Sequence, residues 1–469
     1  MRKSLVILLG VTGLSVGALY RASVSPAAAA ADAATPPNFI VIYAEAEGWV
    51  SSSVQMDDRN SASRGTGIKT PSLERLAAGG MRFSDGYAAS PRCTPSRAAI
   101  FTGRSPAALH MTFVGNGEGT GAGNASTKVI PVDASTEMPL TETTIAELLK
   151  RRGYATAHFG KWHVGRVNPS QHGFDESDGP TSNGGPENVA SPNPKQALAM
   201  TAEGISFMER QAKAHKPFYL QLSHYPNQAL KNANATADEL GVVDKTLGQV
   251  LDAVERLGLK GNTYIVYTAD HGAQGKNLPL TGGKGGVWEG GIRVPYIVSG
   301  PGIKAGAFSH VRVSGVDLFP TFAALAGVKE ALPKTLEGGS LVQVLTNGGV
   351  GSVQRPREEF VVHFPHYDKD PQGPASSILL GNYKLTRLYE TGQLKLFDLS
   401  KDVVEHNDLA KQMPEKAAEL DARMTEYLQA VNAQMPTMNQ NADPSKGAST
   451  LPGEKKGGGM GGKGGKSNN

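Results

Sequence analysis

Residues Asn38–Ala44 have the sequence NFIVIYA, a short, continuous apolar run that is rich in β-branched side chains. A run of this length and composition is typical of a strand buried on both faces of a parallel sheet. The acidic residue Glu45 follows at the point where the strand is expected to end. Because ligands of open parallel sheets lie beyond the carboxyl ends of the strands, Glu45 is a candidate site residue.

The alternation of strand and helix continues along the chain from this run. Further strands are predicted at 154–159, 217–222 and 263–268. Helices are predicted at 70–80, 144–152 and 237–257. Strands that alternate with helices predict an α/β fold with a large, mixed but mostly parallel, doubly wound sheet flanked by helices.

The pattern changes after residue 355. Strands are predicted at 359–363, 378–389 and 394–399 without helices between them, followed by one helix at 415–432. This pattern predicts a smaller C-terminal subdomain with an antiparallel sheet. We therefore expect a signal peptide at 1–31, a catalytic α/β domain at 36–355, the antiparallel sheet and helix at 356–435, and a disordered Gly/Lys-rich tail at 436–469.

The first 31 residues have the pattern of a secretory signal peptide. Arg2 and Lys3 precede a short apolar stretch, and the alanines at 27–31 supply small residues for cleavage. A membrane anchor that is never cleaved is the alternative for this segment. The signal peptide predicts an exported protein, periplasmic or extracellular, and no later apolar run is long enough to suggest membrane contact after cleavage.

The formal net charge of +4 is concentrated at the two ends of the chain. Residues 1–31 contain three basic residues and no acidic ones, and the tail from residue 452 contains four lysines and one glutamate. The segment between them is therefore slightly acidic. A nucleic-acid-binding protein concentrates basic charge on its folded body, so nucleic acid is not an expected partner.

Cys93 is the only cysteine of the 469 residues, so the chain cannot form an internal disulfide. A single thiol in an oxidising compartment is either buried or used chemically. Pro91 and Pro95 hold an extended turn around it, and Ser96 precedes a short helix that is predicted to run to Thr102. The start of a helix favours an anion, and Arg97 adds a permanent positive charge, so the segment predicts an oxyanion site.

The segment 93–104, CTPSRAAIFTGR, resembles the signature of the type I sulfatases of the alkaline phosphatase superfamily, C-x-P-S-R-x-x-x-x-T-G-R, in which the cysteine becomes formylglycine. The similarity extends over nearly the whole mature chain. The other similar segments are GKWHVG from Gly160, HGFD from His172, TADHG from Thr268, GKG and WEGGIRVP from Gly283 and Trp288, GNYKL from Gly381, and LFDL from Leu396.

The resemblance implies hydrolysis of sulfate esters, with a sulfated carbohydrate or another sulfated small molecule as the substrate. It implies formylglycine at position 93, made by a formylglycine-generating maturation enzyme, and one divalent cation, Ca²⁺. The implied catalytic residues are Cys93, Arg97, Lys161, His163, His224 and Lys284. The implied metal ligands are Glu45, Cys93, Asp270 and His271. In this scheme the aldehyde hydrate attacks sulfur, and cations stabilise the developing charge.

The first metal loop departs from the family pattern. Glu45 and Ala46 stand where the family usually has two aspartates, and Ala46 has no side-chain oxygen that could bind calcium. Glu47 is one residue that could replace the missing ligand. The acidic pair Asp57 and Asp58 is the other source of a replacement.

A second departure follows the strand predicted at 217–222. The family places a histidine that contacts sulfate after this strand. Alignment without a gap puts Gln228 at that position, whereas a short deletion puts His224 there. Both remain candidates, since a glutamine can also donate a hydrogen bond to a sulfate oxygen.

Two other functions are compatible with this sequence. One is a phosphonate or phosphodiester hydrolase of the same superfamily, because sites for tetrahedral oxyanions are similar in their chemistry. The other is a non-catalytic protein that binds sulfated glycans, which the loss of a ligand at Ala46 suggests. The loops at 111–137 and 179–194 are expected to shape the pocket, but their sequences do not identify a sugar.

Overall fold

A computed structural model describes residues 35–114, 127–184, 194–226, 241–273 and 277–442. The predicted signal peptide, Gln228 and most of the predicted tail lie outside these residues, as do the central parts of both predicted pocket loops. From Pro36 onward the described chain belongs to one compact unit. None of the described helices combines the length and the apolar character needed to cross a membrane.

The described strands are numbered here in chain order. They are β1 (Asn38–Ala44), β2 (Met81–Phe83), β3 (Gly86–Tyr87), β4 (Val129–Ile130), β5 (Ala155–Gly160), β6 (Glu176–Ser177), β7 (Phe218–Ser223), β8 (Thr263–Ala269), β9 (Tyr296–Ser299), β10 (Ala307–Ser309), β11 (Val313–Ser314), β12 (Phe360–Phe364), β13 (Ala375–Leu380), β14 (Tyr383–Leu388), β15 (Leu394–Asp398) and β16 (Thr437–Met438). The described α-helices are Pro71–Gly79, Cys93–Thr102, Pro106–Leu109, Ile145–Arg151, Pro194–Lys213, Val242–Arg256, Glu289–Ile292, Leu318–Leu325, Val342–Thr346 and Pro414–Ala430.

The largest sheet has eight strands in the order β10-β2-β9-β8-β1-β7-β5-β6. Strand β1 lies in the middle and pairs in parallel with both β7 and β8. Strand β9 runs antiparallel to its two neighbours, whereas the other described pairs of this sheet are parallel. The predicted α/β class with a mixed, mostly parallel sheet is therefore confirmed.

The side chains of β1 alternate between two hydrophobic cores, one on each face of the sheet. Phe39, Val41 and Tyr43 pack in the first core, and Ile40 and Ile42 pack in the second. Helices contribute apolar side chains to both cores, so all seven residues of β1 are buried. This burial on both faces explains why the strand shows no alternation of apolar and polar residues.

The smaller sheet is antiparallel and has the order β12-β13-β14-β15. One of its faces packs against the helix Pro414–Ala430, and the other packs in a core that includes Trp288 and Cys93. The single strand predicted at 378–389 is two strands, because Gly381 takes a left-handed conformation with φ of 56° between β13 and β14. The predicted antiparallel sheet with a C-terminal helix is present.

Two predicted boundaries differ from the structure. The helix predicted to follow Ser96 begins earlier, at Cys93, and Pro95 is tolerated in its first turn, where a proline costs no backbone hydrogen bond. The chain also remains ordered past residue 436, where the tail was predicted to begin. Strand β16 lies in this segment and pairs with β4, so the described structure extends to residue 442.

Candidate functional site

The carboxyl ends of three strands of the large sheet deliver polar residues to one region. Ala44 of β1 and Ala269 of β8 are partners in the parallel register, so the next residues, Glu45 and Asp270, emerge side by side. Lys161 directly follows β5, which is separated from β1 by β7. The sequence predicted this convergence, and the structure brings these residues together.

Cys93 lies in the first turn of its helix with its side chain inside this region, and the residue is 1% exposed. Its Sγ atom lies 3.3 Å from Glu45 Oε1 and 3.2 Å from His271 Nε2. The ammonium group of Lys284 is 3.6 Å from the same sulfur. The residue predicted to carry the chemistry is therefore surrounded by the predicted metal ligands and a cation.

Glu45 is the carboxylate that contacts most of the cations. Its Oε2 atom lies 3.0 Å from both Arg97 and Lys161, and its Oε1 atom is 3.5 Å from Lys284 Nζ. Burial acts to raise the pKa of Glu45, but Lys161 and Lys284 outweigh it and hold the pKa well below its ordinary value. Glu45 is therefore ionised and held in place by three positive charges.

Arg97 connects the two carboxylates of the site. It donates to Glu45 Oε2 at 3.0 Å and to Asp270 Oδ2 at 2.9 Å and 3.2 Å, and it donates a third bond to the carbonyl of Lys161 at 2.6 Å. The side chain has no exposed surface. All of these contacts are with the protein itself, so Arg97 orients Glu45, Asp270 and the Lys161 backbone.

The electrostatic surroundings of Cys93 favour a negative charge. Burial and Glu45 act to raise the pKa of the thiol, but Lys161, Lys284 and His271 together lower its pKa well below the ordinary value. In turn, the negative charges of Cys93 and Glu45 overcome the effect of burial and raise the pKa of Lys284. The same cations would stabilise an oxyanion bound at this position.

His163 is buried beside Cys93 in the loop that follows β5. The residue is 1% exposed and takes a left-handed backbone conformation with φ of 55°. Burial lowers the pKa of the imidazole, and the Cys93 sulfur opposes that effect. Among the residues that the structure describes, neither ring nitrogen has a well-formed hydrogen bond. The ring therefore has the Cys93 sulfur as a close polar neighbour.

His224 makes its described hydrogen bonds with residues outside the Cys93 cluster. Its backbone N–H donates to the carbonyl of Tyr43 at 2.9 Å, and its Nε2 atom lies 2.9 Å from the hydroxyl of Thr246. Burial, with a contribution from Arg97, lowers its pKa to about 4. The structure thus places the ring against the helix Val242–Arg256, and no described contact joins it to Cys93.

The loop that carries Lys284 is held from two sides. The Lys284 N–H donates to the carbonyl of Ala273, and the Gly285 N–H donates at 3.0 Å to the carbonyl of Pro91, just before Cys93. Gly285 has φ of 90°, a conformation that strains other residues, and an added Cβ would lie 2.5 Å from the Asp368 carboxylate and displace it. This close packing fixes Lys284 next to Cys93.

One buried pair beside the site was missed by the sequence analysis. Arg92 Nε lies 2.9 Å from Asp368 Oδ2, and their side chains are 5% and 10% exposed. The two residues are far apart in the sequence, and Asp368 lies in a segment without a recognisable motif. Arg92 could have been noted from its position next to Cys93, but its partner could not.

Four residues could hold a metal ion: Glu45, Cys93, Asp270 and His271 each offer a ligand atom, and these atoms lie within 4.8 Å of one another. The proposed replacements for Ala46 do not lie in this cluster. The carboxylate of Glu47 accepts a hydrogen bond of 2.5 Å from Tyr267. Asp57 pairs with Arg59, and Asp58 pairs with His310 at 3.2 Å.

A cavity of about 660 Å³ lies near the end of β5, which contributes Phe159 to its lining. Its lining residues are Phe159, Asn168, Ser170, Asp175, Glu176, Ser177, Asp178, Gln196, Ala199, Met200, Glu203 and Tyr225. None of the residues around Cys93 belongs to this lining, so the cavity is separate from the site described above.

The site gathers cations around a buried thiol at one edge of a mostly parallel sheet, an arrangement that suits enzymes acting on esters of tetrahedral oxyanions. Comparison with known proteins identifies the family within this class of enzymes. A family model named Sulfatase matches residues 37–328, and a model named N-sulphoglucosamine sulphohydrolase, C-terminal, matches residues 283–434. The chain therefore belongs to the sulfatase family, and it is a sulfuric ester hydrolase.

Curated relatives agree with this assignment. N-acetylgalactosamine-6-sulfatase of Mus musculus is 32% identical over 368 residues, which cover 68% of this chain and 68% of that protein. Arylsulfatase A of Homo sapiens is 30% identical over 408 residues, which cover 75% of each chain. The predicted sulfatase resemblance is confirmed.

Solved structures show the same fold. The PsFucS1 sulfatase from Pseudoalteromonas sp. has a TM-score of 0.65 and 22% identity, and the match covers 85% of this chain and 91% of that chain. Ps i-CgsB in complex with k-i-k-neocarrahexaose has a TM-score of 0.68 and 24% identity, with coverage of 84% and 93%. At these identities the similarity concerns the fold.

Proposed function

We propose that the protein is exported and hydrolyses sulfate esters of carbohydrates, with formylglycine made from Cys93 as its nucleophile. The observation that carries the proposal is the position of Cys93, whose sulfur lies 3.6 Å from Lys284 Nζ and 3.2 Å from His271 Nε2. The name of the relative N-acetylgalactosamine-6-sulfatase supports a sulfated sugar as substrate. The pattern of the first 31 residues supports export.

The proposed reaction has two steps. Hydration of the aldehyde at position 93 gives two hydroxyl groups on one carbon. One hydroxyl attacks the ester sulfur, the bond between sulfur and the sugar oxygen breaks, and that oxygen leaves as an alcohol after taking a proton. The second hydroxyl then loses its proton as the carbon–oxygen bond to the sulfo group breaks, which releases sulfate and restores the aldehyde. One displacement at sulfur followed by an elimination thus replaces a single difficult displacement by water.

The cationic residues divide into two roles in this proposal. Lys161 and Lys284 bind the sulfate oxygens, because both ammonium groups lie near residue 93 and Glu45. Arg97 is a positioning residue, since its guanidinium is bound to Glu45 and Asp270. His163 carries the proton that the leaving oxygen takes, because its buried ring lies beside Cys93.

The chemistry of the donor set fits a divalent cation. Glu45, residue 93, Asp270 and His271 would hold it, because their ligand atoms lie within 4.8 Å of one another. When bound, the cation supplies positive charge that lowers the pKa of the attacking hydroxyl. A formylglycine-generating maturation enzyme is the partner that the proposal requires.

The test is sulfate release by purified protein in which mass spectrometry confirms formylglycine at position 93. Ion chromatography would measure sulfate liberated from sulfated hexosamines, sulfated galactans and an aryl sulfate. We expect release from at least one sugar, and no release by the Cys93→Ala variant. Faster turnover of a phosphodiester or phosphonate would favour the related hydrolase instead. Saturable glycan binding without turnover would favour the non-catalytic function.

A further inference from the structure

We propose that Thr181 is a positioning residue that holds Lys161 and His163 in the arrangement that the reaction requires. The inference rests on the proposed function, because that function assigns the two side chains their roles. Thr181 lies in the predicted pocket loop at 179–194, and it contacts the segment 160–163, which carries both side chains. Three described hydrogen bonds connect Thr181 to this segment.

The hydroxyl of Thr181 joins two backbone groups on either side of Lys161. Its Oγ1 atom donates to the carbonyl of Gly160 at 2.5 Å and accepts the N–H of Trp162 at 3.0 Å. A hydroxyl can donate and accept at the same time, so one side chain serves both groups. The two bonds hold the peptide groups before and after the Cα of Lys161. They therefore fix the direction in which its side chain leaves the backbone, and its Nζ atom lies 3.0 Å from Glu45 Oε2.

The backbone of Thr181 holds His163. The His163 N–H donates to the Thr181 carbonyl at 2.9 Å. His163 has φ of 55°, a left-handed conformation that is strained for a residue with a side chain and persists only where the surrounding structure enforces it. The bond to Thr181 is a constraint of this kind. It keeps the backbone in the conformation that places the buried ring beside Cys93.

Other contacts of the segment 160–163 involve different backbone groups. The Lys161 N–H donates to the carbonyl of Ser223 at 2.8 Å, and the Gly160 N–H donates to the Asp178 carboxylate at 2.7 Å. Neither of these bonds involves a group that Thr181 binds. Loss of the Thr181 hydroxyl would therefore leave a carbonyl and an N–H of the segment without the partner described here. Because unpaired backbone groups are costly, the segment would rearrange to find new partners.

The test compares kcat for sulfate release in Thr181→Val and Thr181→Ser with that of the mature, full-length wild type. Valine has the shape of threonine but no hydroxyl, whereas serine keeps the hydroxyl and lacks only the methyl group. We expect Thr181→Val to lower kcat by about 10–100-fold with little change in KM, because misplaced catalytic groups weaken binding of the transition state more than that of the substrate. Thr181→Ser should keep most of the wild-type kcat.

Thr156→Val is the matched control. The Thr156 hydroxyl also joins two backbone groups, since it donates to the carbonyl of Gly173 at 2.7 Å and accepts the N–H of Asp175 at 3.0 Å. These two groups flank Phe174, which has no role in the proposed reaction. The control removes the same kind of contact from another part of the fold. It should therefore lower the melting temperature by an amount comparable to that of Thr181→Val and keep the wild-type kcat.

Hydrogen–deuterium exchange, read residue by residue after fragmentation in the mass spectrometer, needs no activity and no conversion of Cys93. The N–H groups of Lys161 and His163 donate to backbone carbonyls and not to the Thr181 hydroxyl. Their exchange therefore reports on the mobility of the segment and not on the deleted bond itself. We expect faster exchange at both residues in Thr181→Val, and wild-type exchange there in Thr181→Ser and Thr156→Val.

An unchanged kcat in Thr181→Val would overturn the inference, as would an equal fall of kcat in Thr156→Val or in Thr181→Ser. Wild-type exchange at Lys161 and His163 in Thr181→Val would also overturn it, even in an active enzyme. Absence of sulfate release by the mature wild type would reject the proposed function, and the exchange measurement would then decide by itself whether Thr181 positions the two residues.

Discussion

Lys384 and Glu289 form an ion pair of 2.9 Å between the small sheet and the short helix after the Lys284 loop, and neither side chain is exposed. The carboxylate of Glu405 lies 2.8 Å from the same ammonium group. Arg293 also contacts Glu289, at 2.6 Å. Two cations and two carboxylates therefore compensate one another where the small sheet meets the segment that positions the site.

Lys384→Met should destabilise the protein strongly. The change leaves two buried carboxylates with one cation fewer, and breaking a buried pair costs about 3–5 kcal/mol. Urea unfolding would measure the loss in free energy of unfolding. Lys395→Met, which removes a partly exposed pair with Asp408, is the control and should cost about 1 kcal/mol or less. Equal losses in the two variants would contradict the prediction.

Glu405 should make stability depend on pH between about 4.5 and 7. Burial raises its pKa from 4.5 to about 7, Glu289 adds to the rise, and Lys384 opposes it. The folded state therefore binds this proton more tightly than the unfolded state, so the contribution is present below pH 4.5 and is lost as pH rises through 7. Unfolding free energies at several pH values should show a smaller decline in Glu405→Gln than in the wild type.

Lys284→Met should reduce turnover without unfolding the protein. The ammonium group is next to Cys93 but its side chain keeps 11% exposure, so its loss removes charge from the site more than packing from the core. We expect kcat for sulfate release to fall by about 10²–10³, with an unchanged melting temperature. Lys260→Met, which alters an exposed lysine, should retain wild-type kcat. A wild-type rate in Lys284→Met would exclude contact with sulfate.

His224→Ala and Gln228→Ala should have different effects. The first change removes a buried hydrogen bond to Thr246 and should lower the free energy of unfolding by about 1–3 kcal/mol, with little change in KM. The second removes the other candidate contact to sulfate and should lower kcat/KM by about tenfold. Steady-state kinetics and urea unfolding separate the two cases. Loss of kcat/KM in His224→Ala alone would assign the sulfate contact to His224.

The sequence was sufficient for the parts of the fold and the site that depend on local patterns. The buried run of β1 and the alternation of strands and helices identified the sheet. The parallel register then explains why Glu45, Lys161 and Asp270, although distant in sequence, converge at one edge. Motif matches also located Cys93 and Lys284, which the structure places 3.6 Å apart.

Features that depend on tertiary contacts could not be predicted in the same way. The antiparallel strand β9 is short and buried, so its direction follows from pairing with β2 and β8 rather than from its own sequence. The Arg92–Asp368 pair joins segments without a common motif. Glu47 was a candidate metal ligand because it lies next to Ala46. Its carboxylate instead accepts a hydrogen bond from Tyr267, a contact that its sequence position does not reveal.

If Cys93 is converted as proposed, its enclosure in the fold limits when the conversion can take place. Because the residue is 1% exposed, an enzyme that oxidises its thiol would have no access to it once the chain has folded. The proposed conversion must then take place on an extended polypeptide, in the interval between synthesis and folding. A molecule that folded before this step would keep its thiol and lack the proposed nucleophile.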